Sequence, residues 1–262
     1  MNKLLATLLL LASVNATGQQ TDTNRTAFAR DNMNAVLWQQ RAAEYRALSY
    51  QAYNIARLRL DEALRRKSGK PRCVVTDIDE TVLDNSPFQG YELHNAVGYA
   101  AADWKKWTDK AVADTLPGAL SFLKYAASRK VEVFYITNRS RAELESTMKN
   151  LRHYGFPNAD AAHVLVKDST SGKAARRSYV AERYNIVLLC GDNLNDLADV
   201  FYLKDQASRN AAADSLRNEF GKRFIVLPNP MYGDWEAPIY EYKKQLTEQE
   251  KAERRMEMIK GF

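Results

Sequence analysis

Acidic residues are crowded into the segment VVTDIDETVLDNS, which spans residues 74–86. Asp77 and Asp79 come directly after a short apolar run, and Glu80 follows. Two carboxylates this close repel each other unless a cation or a proton lies between them. A hard divalent cation such as Mg²⁺ takes oxygen ligands, and an aspartate can act as the nucleophile of phosphoryl transfer. The segment therefore predicts a carboxylate site suited to metal binding and phosphoryl chemistry.

The rest of the chain indicates how such a site is positioned. Apolar, β-rich runs alternate with amphipathic helical segments, which predicts βαβ units and a parallel sheet covered by helices on both faces. Ligands of such sheets bind at the carboxyl ends of the strands, where Asp77 and Asp79 are predicted to lie. The predicted strands are 73–76, 131–137, 163–166 and 185–190, and the predicted helices between and after them are 116–130, 140–155, 172–184 and 237–260.

Two segments fall outside this alternation. Residues 28–66 carry apolar positions at three- and four-residue steps, which predicts one long amphipathic helix. Residues 85–115 are too long for a simple crossover and contain Trp104, so we expect an insertion over the carboxyl edge of the sheet. The two segments are predicted to pack together as a helical accessory layer on a core formed by 72–84 and 116–236.

The first residues have the pattern of an export signal. Lys3 precedes an apolar run over 4–14, and residues 14–16 (VNA) have the small–x–small pattern of a cleavage site. The run is shorter than the about 20 residues that a membrane-spanning helix needs. We therefore expect 1–16 to be removed and 17–262 to form a single domain, periplasmic or secreted, with no transmembrane segment. No cysteine lies near the end of the apolar run, so a lipid anchor at an N-terminal cysteine is not expected.

The net charge of +6 and the pI near 9.1 favour anionic ligands. The cations are spread over predicted helical faces and are not clustered with aromatic residues, so no nucleic-acid partner is expected. A small phosphorylated substrate and a merely solvated basic surface fit this charge equally well.

Polar residues follow the other predicted strands as well. Thr137 and Asn138 end one of them with hydroxyl and amide groups that suit phosphate oxygens. Lys173 lies near a helix start, where its ammonium group and the helix dipole both favour an anion. Asp192 and Asp196 follow a third strand and bring further carboxylates to the same edge.

In chain order these blocks resemble the four motifs of the haloacid dehalogenase (HAD) superfamily of phosphotransferases. A narrower resemblance, over residues 38–236, links them to the class C non-specific acid phosphatases, bacterial envelope enzymes that hydrolyse phosphomonoesters including nucleoside monophosphates. The segments that carry it are DIDETVLDNSPF, DWKKW, FYITNR, KAAR, IVLLCGDNLND and FIVLPNPMYGDWE. The resemblance implies an α/β, HAD-like Rossmannoid fold with a small helical cap, and a Mg²⁺-dependent acid phosphatase that forms an aspartyl-phosphate.

The resemblance also implies a role for each matching residue. Asp77 would be the nucleophile, and Asp79 would be the general acid and then the general base. Mg²⁺ would be held by Asp77, the backbone carbonyl of Asp79, and Asp192. Thr137 and Lys173 would bind the phosphoryl oxygens.

The expected substrate is a small phosphomonoester, with nucleoside 5′-monophosphates as the first candidates. Trp104 and Tyr232 match the aromatic pair of the family that stacks on a nucleobase, and Asn138 is assigned to substrate binding beside them. A HAD phosphatase for a sugar or vitamin phosphate stays an alternative, as does a non-catalytic envelope protein that binds nucleotides.

Two departures from the family pattern affect the assignments. Asn195 stands where the family has an acidic residue and is given no metal role, and Asp192 is weighted over Asp196. The lysine-rich loop of the family is reduced to VKDSTSGK, so Lys167 is a second candidate for the phosphate-binding lysine. Glu80 is interpreted as structural.

Cys73 and Cys190 are predicted to be free thiols. If the sheet order of the superfamily holds, the two cysteines lie on neighbouring strands with a stagger of about three residues, or about 10 Å. A disulfide requires Cα atoms within about 7 Å of each other.

Overall fold

The structure is a computed structural model that describes residues 31–243 and 245–262. The predicted signal peptide at 1–16 lies outside the described residues, so export stays a prediction. Within the described part of the chain, none of the helices combines the length and the apolar character that a membrane crossing requires.

A five-stranded parallel sheet forms the centre of the molecule, as predicted. Its strand order is β5-β4-β1-β6-β7, and β2 and β3 form a separate antiparallel pair. The strands are β1 (Arg72–Thr76), β2 (Leu83–Asp84), β3 (Asp114–Thr115), β4 (Glu132–Ile136), β5 (Val164–Leu165), β6 (Asn185–Gly191) and β7 (Phe224–Val226).

Helices follow the strands and cover the sheet. They are α1 (Met33–Arg41), α2 (Ala43–Leu64), α3 (Ser86–Asn95), α4 (Ala101–Lys110), α5 (Ala119–Ser128), α6 (Leu144–Tyr154), α7 (Ala174–Arg183), α8 (Leu194–Leu197), α9 (Gln206–Ser215) and α10 (Glu248–Met258). Short 3₁₀ turns occur at Arg141–Glu143, Asp199–Phe201 and Ala237–Tyr240.

The two faces of the sheet bury separate apolar clusters. Val74 pairs in register with Leu188, and both belong to the cluster that α2, α5 and α6 complete. Val75 and Leu189, one position further along, belong to a second cluster that includes Val180 of α7. Because successive side chains of a strand point to opposite faces, a continuous apolar run supplies both clusters. The buried strands thus anchor the carboxyl edge of the sheet to the core on both faces.

The single helix predicted over 28–66 is wrong in one respect, because the helix is interrupted at Ala42. That residue has an extended backbone (φ −75°, ψ 130°), and α1 ends before it while α2 begins after it. The two helices contact different layers: α1 packs on α3 of the insertion, whereas α2 packs on α5, β6 and β7. The assignment of 28–66 and 85–115 to one accessory layer stays a prediction.

The apolar spacing predicts a buried face of α2 that contains Tyr45, Leu48, Ala52, Ile55 and Leu58. Tyr45 and Ala52 are buried, as predicted. Leu48 and Leu58 are exposed, with 42% and 55% of their surface accessible. The helix instead packs through Ser49, Ala56 and Leu60, which are fully buried. Small side chains let a helix approach its neighbours closely, and this packing outweighs a count of large apolar residues.

Two other helical predictions have different outcomes. The helix predicted over 140–155 is confirmed, with a capping box between Ser140 and Glu143 and a left-handed Gly155 (φ 74°) at its end. The charged helix predicted over 237–260 is shorter, because left-handed backbone at Glu241 and Tyr242 interrupts it; only α10 is a full helix there.

The cysteine prediction is confirmed. In the register of β1 and β6, Cys190 lies beside Thr76 and Cys73 lies beside Ile186, so the cysteines are staggered along the two strands. Both are buried free thiols.

Candidate active site

The carboxyl ends of three neighbouring strands bring the predicted site residues together. β1 lies between β4 and β6, and Asp77, Thr137 and Asp192 each come directly after one of these strands. The amide of Asp77 donates a hydrogen bond to the carbonyl of Cys190 at 2.9 Å, which fixes the end of β1 against β6. Residues far apart in sequence therefore share one edge of the sheet.

Three carboxylates form a cluster at this edge. Asp77, Asp192 and Asp196 each place one oxygen within 4.8 Å of the others. Lys173 is 2% exposed; its ammonium forms ion pairs with Asp77 and with Oδ1 of Asp196, the latter at 2.6 Å. One lysine faces three carboxylates, so the cluster has an excess of negative charge when all three are ionised.

This charge excess perturbs the protonation of the cluster. Burial raises the pKa of Asp77 well above its usual range, although Lys173 opposes the shift. Burial and the neighbouring Asp196 raise the pKa of Asp192 to about 7. Burial disfavours the charged form of Lys173, but Asp196 and Asp77 outweigh this and raise its pKa. A divalent cation among the carboxylates would favour their ionised forms, and the all-oxygen donor set suits a hard cation.

The sequence favours Asp192 over Asp196 as a metal ligand, yet Asp196 also lies within the cluster. It occupies the third position of the short helix α8, and its Oδ2 accepts a hydrogen bond from the backbone amide of Asn193 at 3.0 Å. This capping box folds the carboxylate back toward Lys173. Asn195, which was given no metal role, is buried beside it, outside the cluster.

Gly191 makes this close approach possible. A β-carbon at position 191 would lie 2.4 Å from the β-carbon of Asp196 and 2.5 Å from its Oδ2. Only glycine leaves room for Asp196 at this point, so the glycine of the GDNLND motif has a steric role in the cluster.

The carboxylate of Asp79 lies apart from the cluster and has its own cation. Its Oδ1 accepts hydrogen bonds from Arg139, at 2.8 Å from Nη2 and 3.0 Å from Nε, and from Nδ2 of Asn85 at 2.9 Å. Thr137 Oγ1 contacts the other oxygen, Oδ2, at 3.4 Å. Glu80 is fully buried, and its Oε1 accepts a hydrogen bond from the backbone amide of Asn85 at 2.7 Å. This is consistent with a structural role for Glu80.

Sequence reasoning missed Arg139 and Asn85. Arg139 stands in the FYITNR segment and Asn85 in DIDETVLDNSPF, so both motifs were recognised without a role for these residues. No local signal separates a buried arginine from a solvated one, and Asp79 and Arg139 are 60 positions apart.

The remaining predicted residues lie around the cluster. Thr137 is fully buried, and its hydroxyl accepts a hydrogen bond from the Arg139 amide at 3.1 Å. Asn138 is exposed at the cavity wall, where its Oδ1 accepts from Arg176 at 3.0 Å. Of the two candidate lysines, Lys173 lies at the cluster, whereas Lys167 is exposed and does not line the cavity.

A cavity of about 1340 Å³ opens from the cluster toward solvent. Trp104 and Tyr232, the predicted aromatic pair, both line it, as do Asp77, Asp79 and Lys173. The cavity is also lined by aromatic and thioether side chains that were not predicted from the sequence, namely Phe88, Tyr99, Met231 and Trp235. Trp104 packs edge-on against Phe88, with ring centroids 5.1 Å apart. The cavity thus combines a charged end with an aromatic wall.

Comparison with known proteins decides the family. Residues 4–235 match the model of the HAD superfamily, subfamily IIIB (acid phosphatase). The chain belongs to this family. A solved structure of the class C acid phosphatase from Bacillus anthracis has 42% sequence identity and a TM-score of 0.87, covering 90% of this chain and 99% of that one. A structure of the same enzyme with tungstate bound matches with the same values. This subfamily IIIB chain is thus a member of the class C group.

Two plant relatives are less similar to this chain. Acid phosphatase 1 of Solanum lycopersicum is 27% identical over 167 residues, which is 60% of this chain and 57% of that protein. The stem 31 kDa glycoprotein of Glycine max is 28% identical over 166 residues, 59% of this chain and 57% of that protein. The chain therefore spans little more than half the length of these relatives.

Proposed function

We propose that this class C family member is a Mg²⁺-dependent acid phosphatase that hydrolyses small phosphomonoesters, with nucleoside 5′-monophosphates as its preferred substrates. The observation that carries the proposal is the buried Asp77–Lys173–Asp196 arrangement at the charged end of an aromatic-walled cavity. Family membership supports the reaction class, and the signal-like pattern at 1–16 supports a periplasmic or secreted location.

Asp77 and Asp79 divide the chemistry of the proposed reaction. A carboxylate oxygen of Asp77 attacks phosphorus, the bond from phosphorus to the leaving oxygen breaks, and Asp79 gives that oxygen a proton. Water then attacks the aspartyl-phosphate and gives a proton to Asp79. The bond from phosphorus to Asp77 breaks, and inorganic phosphate leaves with both carboxyl groups restored.

The side chains around the nucleophile would hold the cation and the phosphoryl group. Mg²⁺ would be bound by Asp77, Asp192 and Asp196, with the backbone carbonyl of Asp79, and would supply positive charge to the phosphoryl oxygens. Asp192 is oriented for this by Asn229, whose Nδ2 donates to it at 2.8 Å.

The phosphoryl oxygens would be bound by Lys173, Thr137 and Asn138. Lys173 places a buried positive charge beside the nucleophile. The Bacillus anthracis enzyme binds tungstate. Because tungstate is a tetrahedral oxyanion like phosphate, this supports an oxyanion site in the family.

The aromatic wall supports the nucleotide preference. Trp104 and Tyr232 line the same cavity as the charged end, so a substrate bound by its phosphate can place a base between or against them. Base–aromatic stacking contributes about 1–3 kcal/mol per base and tolerates any base identity. We therefore expect a broad range of nucleotides to be accepted.

Phosphate release tests the proposal. The chain from Thr17 onward is assayed with adenosine 5′-monophosphate, glucose 6-phosphate and an aryl phosphate, each with Mg²⁺ and with EDTA. We expect Mg²⁺-dependent release that Asp77→Asn abolishes, and a KM for the nucleotide that Trp104→Ala raises by about 10-fold relative to the aryl phosphate. Release from the sugar phosphate alone would overturn the nucleotide preference. Nucleotide binding without release by folded protein would indicate a binding protein.

A further inference from the structure

The two oxygens of the Asp79 carboxylate have different surroundings. Oδ1 accepts three hydrogen bonds of 2.8–3.0 Å, from Nη2 and Nε of Arg139 and from Nδ2 of Asn85. Oδ2 has only longer contacts, at 3.3 Å to Nε of Arg139 and 3.4 Å to Oγ1 of Thr137. Because the lone pairs of Oδ1 are taken up by these donors, a proton on the Asp79 carboxyl group is bound to Oδ2.

Arg139 is itself fixed from several sides. Its side chain is 1% exposed, and Nη1 donates to the hydroxyl of Thr147 in α6 at 3.1 Å. Its Nη2 also contacts Oδ1 of Asn85 at 3.3 Å, and the guanidinium carbon lies 5.6 Å from the ring centroid of Trp104. The planar guanidinium therefore has one orientation, set by the core helix α6 on one side and by the insertion on the other.

Asn85 connects this arrangement to the insertion. Its Oδ1 accepts a hydrogen bond from Nε1 of Trp107 in α4 at 2.8 Å, while its Nδ2 donates to Asp79. Within the described residues, Asp79 is the acidic partner of Arg139 in an ion pair, whereas Lys173 pairs with Asp77 and Asp196. Arg139 thus contacts the proposed acid–base residue and not the nucleophile.

We infer that Arg139, with Asn85, is a positioning residue that holds the Asp79 carboxyl group by Oδ1 and directs Oδ2 to exchange the proton with the leaving oxygen. This inference rests on the proposed phosphatase function and adds to it the residues that orient the acid. Among the hydrogen bonds and ion pairs of the described residues, none joins the Arg139–Asn85 clamp (these two side chains on Oδ1) to the carboxylate cluster around Asp77.

The clamp predicts an effect that depends on the leaving group. The alcohol of adenosine 5′-monophosphate needs a proton as it leaves, whereas the phenolate of 2,4-dinitrophenyl phosphate does not. The ratio kcat/KM reports on formation of the aspartyl-phosphate, so it isolates the step in which the leaving group is protonated. A variant that misplaces Asp79 should lower kcat/KM for the nucleotide far more than for the aryl phosphate.

The test measures kcat/KM of Arg139→Met with both substrates. We expect a loss of about 100-fold for adenosine 5′-monophosphate and about 3-fold or less for 2,4-dinitrophenyl phosphate. Arg139→Lys keeps the charge but has one donor nitrogen in place of the planar guanidinium, and an intermediate loss of about 10-fold on the nucleotide is expected. Arg209→Met is the matched control, because Arg209 is also nearly buried but donates to the carbonyl of Phe201. Its effect should be equal on the two substrates.

A double-mutant cycle separates positioning from a structural role. With Asp79→Asn already present, Arg139→Met should lower nucleotide kcat/KM by less than about 3-fold, because the residue through which Arg139 acts is gone. Equal losses on both substrates in Arg139→Met, or a full additional loss in the double variant, would overturn the inference. Should Arg139→Met fail to fold, Asn85→Ala removes one of the same donors and should show the same selectivity at about 10-fold.

The outcome also distinguishes this inference from the proposed function. If the unsubstituted chain releases phosphate from neither substrate, both fail. If it hydrolyses both and Asp77→Asn hydrolyses neither, the phosphatase holds. A uniform effect of Arg139→Met would then refute only the clamp.

Discussion

Asp77 and Asp79 are two positions apart, yet their carboxylates lie in opposite electrostatic surroundings. Asp77 shares one buried lysine with Asp196 and also faces Asp192, so its side of the site has more carboxylates than cations. Asp79 is the one ion-pair partner of Arg139 among the described residues, and two nitrogens of that arginine donate to the same oxygen of Asp79. The first side has an excess of negative charge that an added cation would offset, and the second is balanced by the chain itself. This difference suits the proposed roles of Asp77 as a metal-assisted nucleophile and of Asp79 as a proton carrier.

The supporting elements differ in the same way. The partners of Asp77 come from strand ends and helix starts of the sheet core, at Lys173 and Asp196. The partners of Asp79 include Asn85 at the beginning of the insertion, which is hydrogen-bonded to Trp107 within it. The core thus positions the proposed nucleophile, while the core and the insertion together position the proposed acid.

The largest expected effect comes from removing the proposed nucleophile, Asp77. Asp77→Asn should lower kcat by at least about 10⁴-fold on every phosphomonoester, whatever the leaving group. Asp79→Asn should instead lower kcat/KM strongly for alkyl phosphates and weakly for 2,4-dinitrophenyl phosphate. Steady-state phosphate release checks both, and circular dichroism confirms that each variant is folded. The comparison fails if the two variants show the same dependence on the leaving group.

Removal of the two cations should affect stability differently. Lys173→Met leaves Asp77, Asp192 and Asp196 together without a positive charge, and removing one partner of a buried ion pair costs about 3–5 kcal/mol. Arg139→Met leaves only Asp79, whose side chain is 17% exposed, so a smaller loss is expected. Urea unfolding of both variants in EDTA measures the free energies.

Added Mg²⁺ sharpens this test. A cation that binds the native cluster stabilises it by mass action, so Mg²⁺ should restore part of the stability of Lys173→Met and little of that of Arg139→Met. Equal recovery of the two variants would show that the carboxylate cluster is not the binding site of the cation.

A smaller effect is expected from crowding the cluster. Gly191→Ala would place a methyl group 2.4 Å from the β-carbon of Asp196, so the α8 turn must shift. Such overpacking typically costs about 1–3 kcal/mol. We expect this loss in urea unfolding, and a higher Mg²⁺ concentration for half-maximal activity because Asp196 is displaced.

Gly221→Ala is a control with more room, because the nearest neighbour of the added methyl group would be a side-chain carbon of Ile55 at 3.9 Å. Its left-handed backbone (φ 69°) adds some strain. An unchanged Mg²⁺ requirement in Gly191→Ala would argue against Asp196 as a ligand.

The sequence predicts those features that depend on local or periodic signals. The capping box at Ser140 and Glu143 and the stop at Gly155 are local, and they define the helix that the structure shows. The buried strands of a parallel sheet are continuous apolar runs that can be recognised in the sequence. Asp77 and Asp192 each follow such a run, so their placement at one edge of the sheet could be predicted.

Other features depend on contacts between distant residues and could not be predicted. Alanine favours helix, so nothing in the sequence marks the break at Ala42; packing of α1 and α2 on different layers requires it. The pairing of Arg139 with Asp79 joins the ends of two strands and becomes visible only when the sheet order is known.

The last expected effect is a dependence of stability on pH in the cation-free protein. Burial and Asp196 raise the pKa of Asp192 to about 7, above its ordinary 3.8. Between these values the folded state keeps a proton that the unfolded chain has lost. The stability contributed by protonated Asp192 is therefore present below about pH 4 and is lost as the pH rises to about 7. In EDTA, Asp192→Asn should remove this decline, so the difference in urea midpoint between variant and parent should grow from pH 4 to pH 7. Mg²⁺ favours the ionised carboxylate and should flatten the parent profile. A difference in midpoint that does not change with pH would show that the excess of negative charge around Asp77 is relieved by the chain itself, as it is around Asp79.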